Sequence, residues 1–186
     1  MATQIGTMLA AASAQTVPVV RGIRDDQLGH PTPCDDFQVR DLFNHLYQIV
    51  VGFQELAAGK QPDFGTTPDE LGGDWRGRFA EQADRLVEAW SDPGALEGVS
   101  PAMGMPQEAV GRLALLDLTV HGWDLARATG QRYAPDRTAV RLLTPLAEQM
   151  GPQAREMGVF DEPIEVAEDA GDFERLLALT GRRATL

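Results

Sequence analysis

The chain has 186 residues, of which 43% are hydrophobic, enough to build one globular core. Its net charge of -12 excludes the clustered Lys and Arg that phosphate binding needs, so neither nucleic acid nor an anionic membrane surface is an expected partner. The single cysteine, Cys34, excludes an internal disulfide and fits a reducing cytoplasm, the expected location.

Six helices and no strand are expected. The first runs from about Thr3 to Arg24, with apolar residues at Ile5, Met8, Leu9, Ala12, Val19, Val20 and Ile23, and Pro18 is expected to kink or interrupt it. Ala12-Ser13-Ala14 looks like a signal-peptidase site. However, no Lys or Arg precedes Arg21, and Thr3, Gln4 and Thr7 break any apolar run, so the segment reads as helix rather than leader. No segment is long and apolar enough to span a membrane.

A turn follows, His30-Pro31-Thr32-Pro33-Cys34-Asp35-Asp36, in which Asp35 or Asp36 can cap the second helix. That helix carries Val39, Leu42, Phe43, Leu46, Ile49, Val50, Phe53 and Leu56 at helical spacing and ends near Gly59. Residues 60–73 read as a polar loop. Asp74 caps a third helix whose inward face is Phe79, Ala83, Leu86, Val87 and Trp90. After a loop over about 91–105, Pro106 suits the first turn of a fourth helix that stops at Gly130. A fifth helix spans about Arg137 to Met150, capped by Asp136, with a kink expected at Pro145. Residues 151–170 read as irregular, the acidic run Glu165 to Asp172 as solvated surface, and Asp172 to Thr180 as a short last helix closed by Gly181. No linker divides the chain and no repeat is visible. The expectation is one domain over residues 1–186, an all-α antiparallel four-helix bundle with additional short C-terminal helices.

The chemistry concentrates in Asp117-Leu118-Thr119-Val120-His121-Gly122-Trp123-Asp124. On a helix, a carboxylate four residues before a histidine and another three after it share one face. Val110, Ala114, Asp117, His121, Asp124 and Ala128 form one stripe, beside Leu113, Leu116, Val120 and Trp123. A buried carboxylate without a partner is costly, and a metal or a hydrogen-bonded cation removes that cost. His45 lies at the edge of the second helix's apolar stripe, and a bundle interior can bring these two helices face to face. His45, Asp117 and His121 would then hold a divalent ion with a position left open, and Asp124 could accept the second ring N–H of a ligating histidine or orient a water. Zinc comes first, with iron and nickel suited to the same donors.

Blander readings compete with each of these. A histidine on an apolar helix edge is more often structural, Asp at i−4 from His is a common accident, and Asp124 with Arg127 has the spacing of an intrahelical ion pair. Cys34 is more often a small apolar residue than a nucleophile, and no base neighbours it in sequence. Trp75, Trp90 and Trp123 fit a core better than a cofactor platform.

Three stretches carry a family resemblance. Thr32-Pro33-Cys34, followed by Val39-Arg40-Asp41-Leu42 and Asn44-His45-Leu46, resembles the start of the mycothiol-dependent maleylpyruvate isomerase-like proteins, in the DinB/YfiT-like superfamily of metal-binding helical bundles. Val120 to Gly130 looks like that family's second motif, and Leu176 to Arg183 resembles the ending of a single-domain, actinobacterial branch. The resemblance implies a divalent metal held by His45, Asp117 and His121. Family members often carry Glu or His where Asp117 stands, and the shorter Asp favours a bridging water or weaker affinity there. It also implies that the metal activates the thiol of mycothiol or a related small thiol for attack on an electrophilic substrate. In the isomerase a further C-terminal domain completes the enzyme, and this sequence is read without one, so maleylpyruvate isomerisation is not the expectation. The expected activity is a metal-dependent, mycothiol-type thiol transferase with Asp124 as its catalytic acid–base residue. The alternative is a helical bundle that binds a metal or small ligand without turnover. Similar proteins are commonly homodimers.

Overall fold

The computed structural model describes residues 2–34 and 37–184, and among these all regular structure is helical. The chain divides into two compact units, residues 1–134 and 135–186. Among the described residues no helix is long and apolar enough to cross a membrane.

The first unit holds α1 (Gln4–Gly22), α2 (Val39–Ala57), α3 (Trp75–Ser91) and α4 (Gln107–Ala128), with short 3₁₀ turns at Asp25–Gln27 and Pro93–Leu96. In this four-helix bundle α1 packs on α3 and α4, and α2 packs on the same two. Leu9, Val20, Leu42, Phe43, Leu46, Phe79, Leu86, Trp90, Leu115 and Leu118 fill the interior. The three tryptophans are buried, and Trp90 Nε1 donates to Phe53 O at 3.1 Å.

Pairwise contacts fix the helix directions. Thr3 at the start of α1 donates to Trp90 O at the end of α3, and Arg76 at the start of α3 donates to Ile23 O just past α1, so α1 and α3 run antiparallel. Gln107 Nε2 donates to Leu56 O while the rings of His45 and His121 meet, so α2 and α4 are also antiparallel. The other two neighbouring pairs run parallel: Phe43 meets Trp75 and Phe79 while Trp90 reaches Phe53, and α4 pairs Gly111 with Ile5 and Leu118 with Thr16 of α1. The expected all-antiparallel order is refined by the segment 58–74. It returns along α2, Phe64 lying over Gly52, Gln48 Nε2 donating to Asp63 O and Thr66 O, and Asn44 Oδ1 accepting from Glu70 N. A helix the length of α2 is about 28 Å long, and an extended segment of this size can cover that distance.

Several local expectations shift. Asp35 and Asp36 lie outside the described residues. The N-cap of α2 is Gln38, whose N–H donates to Asp41 Oδ2 at 3.1 Å. Pro18 lies within α1, which continues to Gly22. The striped reading of α4 also gives way, because the helix is buried on most of its circumference, without a break from Leu118 to Ala126. A stripe argument assumes a helix with a wet face, and α4 has little of one.

In the second unit, α5 (Arg137–Glu156) and α6 (Asp172–Leu179) pack together. Asp136 caps α5 by accepting from the N–H groups of Thr138 and Ala139, both at 2.9 Å. The helix runs through Pro145 and Pro152, past the expected end at Met150. Residues 165, 167–169 and 171–172 of the acidic run are exposed.

Candidate metal centre

Two close approaches seat α4 in the bundle. A Cβ built on Gly122 would lie 2.9 Å from Tyr133 Cε2, 3.0 Å from the Tyr133 hydroxyl, and closer still to Thr16 Oγ1. One built on Gly111 would lie 2.9 Å from the Trp90 ring and 3.1 Å from Ile5. Only residues without a side chain let α1 and Tyr133 come this near α4. Thr16 Oγ1 stitches the contact, 3.2 Å from both Leu118 O and the Tyr133 hydroxyl. Burial pushes the Tyr133 phenol well above its ordinary pKa, with the Thr16 hydrogen bond opposing the shift.

The residue beside Gly122 is His121, which is 8% exposed, and Asp124 one turn on is fully buried. His121 Nδ1 and Asp124 Oδ2 are 3.1 Å apart. An ionised carboxylate can only accept, so this contact suits the neutral tautomer with its proton on Nδ1, in which Nε2 has the lone pair. That is the outer arrangement found behind metal-bound histidines, where a carboxylate fixes ring orientation and raises ligand basicity. Arg127, the other partner suggested by spacing, is exposed, whereas Asp124 is buried.

Across the α2–α4 contact, the half-buried His45 presents its ring at right angles to that of His121, with centroids 5.1 Å apart. Phe37 also stacks on His45, with ring centroids 5.4 Å apart. The third histidine, His30, is exposed beside the end of α4, its Nδ1 3.3 Å from Ala128 O.

The residue that sequence reasoning left aside is Cys34. Its sulfur, a ring nitrogen of His121 and a carboxylate oxygen of Asp124 lie within 4.8 Å of one another, a group that could hold a metal ion. The statement that no base neighbours Cys34 holds along the chain but not in space. No spacing rule joins residue 34 to residue 121; only the fold does. Asp117, half-buried one turn before His121, and His45 lie outside this three-atom cluster.

Fold and site together define a helical-bundle protein that gathers imidazole, carboxylate and thiol groups between its second and fourth helices. The chain belongs to the mycothiol maleylpyruvate isomerase N-terminal domain family, whose pattern matches residues 9–126. It is also similar to two uncharacterized proteins of Mycobacterium tuberculosis, one from each of two strains. Each is 32% identical over 147 residues, covering 75% of this chain and 76% of the relative. No solved structure gives a significant match.

Proposed function

We propose that the protein is a divalent-metal-dependent thiol transferase. His45, Asp117 and His121 hold the ion, and mycothiol or a related small thiol is the co-substrate. The observation that carries this reading is the buried His121–Asp124 pair facing the His45 ring. It supports two imidazole donors on facing helices, one of them backed by a buried carboxylate. The residues present suit such an ion. A fully buried carboxylate next to a nearly buried imidazole is the environment in which a cation offsets the cost of burying charge, and two imidazoles with a carboxylate suit zinc, iron or nickel.

When bound, the ion supplies Lewis acidity, holding a thiol as thiolate near neutral pH. The chain's own residues do the rest. Asp124 orients His121 through their hydrogen bond. Phe37 fixes the plane of His45 by stacking. His45 and Cys34, both half-buried, place the approach for small molecules on the α2 side, because Leu118 to Ala126 of α4 are buried. Asp124 serves as the acid–base residue through its hydrogen bond to His121.

The Cys34 sulfur favours a second reading, binding without turnover, because a fourth protein donor would close the coordination shell as in structural zinc sites. Two measurements separate these readings. Metal content is determined for the purified protein and for His45→Ala and His121→Ala. The metal-loaded protein is then incubated with mycothiol and a generic electrophile. Full metal occupancy in both variants refutes the site, and conjugation no faster than the uncatalysed rate refutes the transferase in favour of the binding protein.

A further inference from the structure

We infer that Cys34 is itself a metal ligand, supplying a thiolate to the ion at the α2–α4 site and occupying the position a thiol co-substrate would take. The inference rests on the metal-binding half of the function proposed above and adds a donor from outside the bundle helices.

The geometry of the loop carries the argument. Cys34 is held in a segment tied down at several points. Thr32 Oγ1 accepts from Cys34 N at 3.2 Å and donates to Cys34 O and Phe37 O at 3.0 and 2.8 Å. The ends of the segment are closed by Val39 N donating to His30 O at 2.9 Å and Thr32 N donating to Phe37 O at 3.2 Å. This one loop performs two operations on the same site: Phe37 stacks on His45, and Cys34 sets its sulfur beside His121 and Asp124. A cysteine kept only as a small apolar filler has no reason to meet two polar, metal-competent side chains of a buried pair.

Distances and softness point the same way. Donors about 2.0–2.3 Å from a shared zinc ion stand roughly 3–4 Å from one another. Cys34 and His121, whose ligand atoms lie within 4.8 Å of each other, reach that range with ångström-scale side-chain adjustment. Thiolate is the softest donor the chain owns, and it biases a mixed nitrogen and oxygen set toward zinc over the harder divalent ions. Beside the proposed donors His45, Asp117 and His121, of which only His121 shares the 4.8 Å cluster, Cys34 would bring the protein donors to four, the number usual in structural zinc sites. An incoming thiol would exchange with Cys34 as donor, and the proton it loses would pass to the released Cys34 thiolate.

The test uses the full-length protein, metal-stripped and reloaded with cobalt(II) or zinc, beside Cys34→Ser and Cys34→Ala, with helix content by circular dichroism confirming that each variant is folded. Wild-type protein with one equivalent of cobalt shows a sulfur-to-cobalt charge-transfer band in the near ultraviolet, and both variants lack it while still binding cobalt. Zinc affinity falls about tenfold or more in the variants, since losing a ligand costs at least what losing an outer partner does. Zinc also slows iodoacetamide alkylation of Cys34 in the wild type by about tenfold or more, because a coordinated thiolate is withdrawn from attack. Stoichiometric cobalt binding without the band, or a band that survives in Cys34→Ala, overturns the assignment of Cys34 and leaves the histidine site standing. Wild-type protein that retains neither ion overturns both.

Discussion

Asp124→Asn isolates what the buried carboxylate does for His121. The side chains are nearly equal in volume, and an Asn carbonyl can still accept from the His121 Nδ1–H over the 3.1 Å now spanned by Asp124 Oδ2. What disappears is the negative charge behind the ring. Losing the partner of a ligating histidine lowers metal affinity about 10–100-fold, or roughly 1.4–2.7 kcal/mol. The metal-free protein responds differently. Exchanging a charge-assisted hydrogen bond for a neutral one costs about 1 kcal/mol, while relieving a fully buried charge returns a comparable or larger amount. The metal-free variant therefore melts within a few degrees of wild type or above it. Asp124→Ala instead leaves the Nδ1–H without this partner and costs about 1–3 kcal/mol in the metal-free state. The assays are zinc competition against a chromophoric chelator and thermal unfolding after metal removal. An Asp124→Asn protein that binds zinc as tightly as wild type refutes the argument that this carboxylate tunes a metal ligand.

Zinc at about a hundred times its dissociation constant raises unfolding stability by roughly 2.7 kcal/mol, reversibly with chelator, and a melting temperature indifferent to zinc counts against a folded-state site. Gly122→Ala forces a methyl group against Thr16 and Tyr133; overpacking of about 1–3 kcal/mol outweighs a helix-propensity gain of about 1 kcal/mol, so the variant is less stable in urea and binds zinc more weakly through displacement of the neighbouring His121. The raised Tyr133 pKa makes the folded state hold a proton that the unfolded chain releases above about pH 10, so wild-type stability declines there as pH rises; Tyr133→Phe lacks that component, and parallel alkaline denaturation curves for the two proteins would contradict it. Asn44→Ala removes the acceptor for Glu70 N at 2.9 Å and costs about 1 kcal/mol or more, seen first as faster proteolysis within residues 58–74.

The helices of this protein were readable because each has its own punctuation. Asp74 and Asp136 sit at their caps, and α2 carries a strong apolar stripe. What misled sequence reasoning was local logic applied where the fold overrides it. Pro145 and Pro152 lack the N–H that an interior position normally uses, yet α5 continues through both. The directions of the helices were invisible because they depend on a loop that lies back along α2 through Asn44, Gln48 and Gly52, contacts with no periodic signature.

The candidate site divides along the same line. His121 and Asp124 are three residues apart on one helix, so their meeting follows from helical geometry alone. His45 meets His121 because two helices pack, which a bundle makes plausible but no spacing specifies. Cys34 arrives from a loop whose position is fixed by Thr32 hydrogen bonds and by Phe37 stacking on His45. The same two contacts tie the chemistry of the loop to that of the helices: a change that frees Phe37 from His45 also frees the segment that carries the sulfur. Phe37→Ala therefore couples two effects that separate sites would keep apart, a looser His45 ring and a displaced Cys34. If histidine and cysteine serve one ion, this variant loses both zinc affinity and the protection of Cys34 from alkylation. If they do not, the alkylation rate in the presence of zinc equals that in its absence for wild type and variant alike.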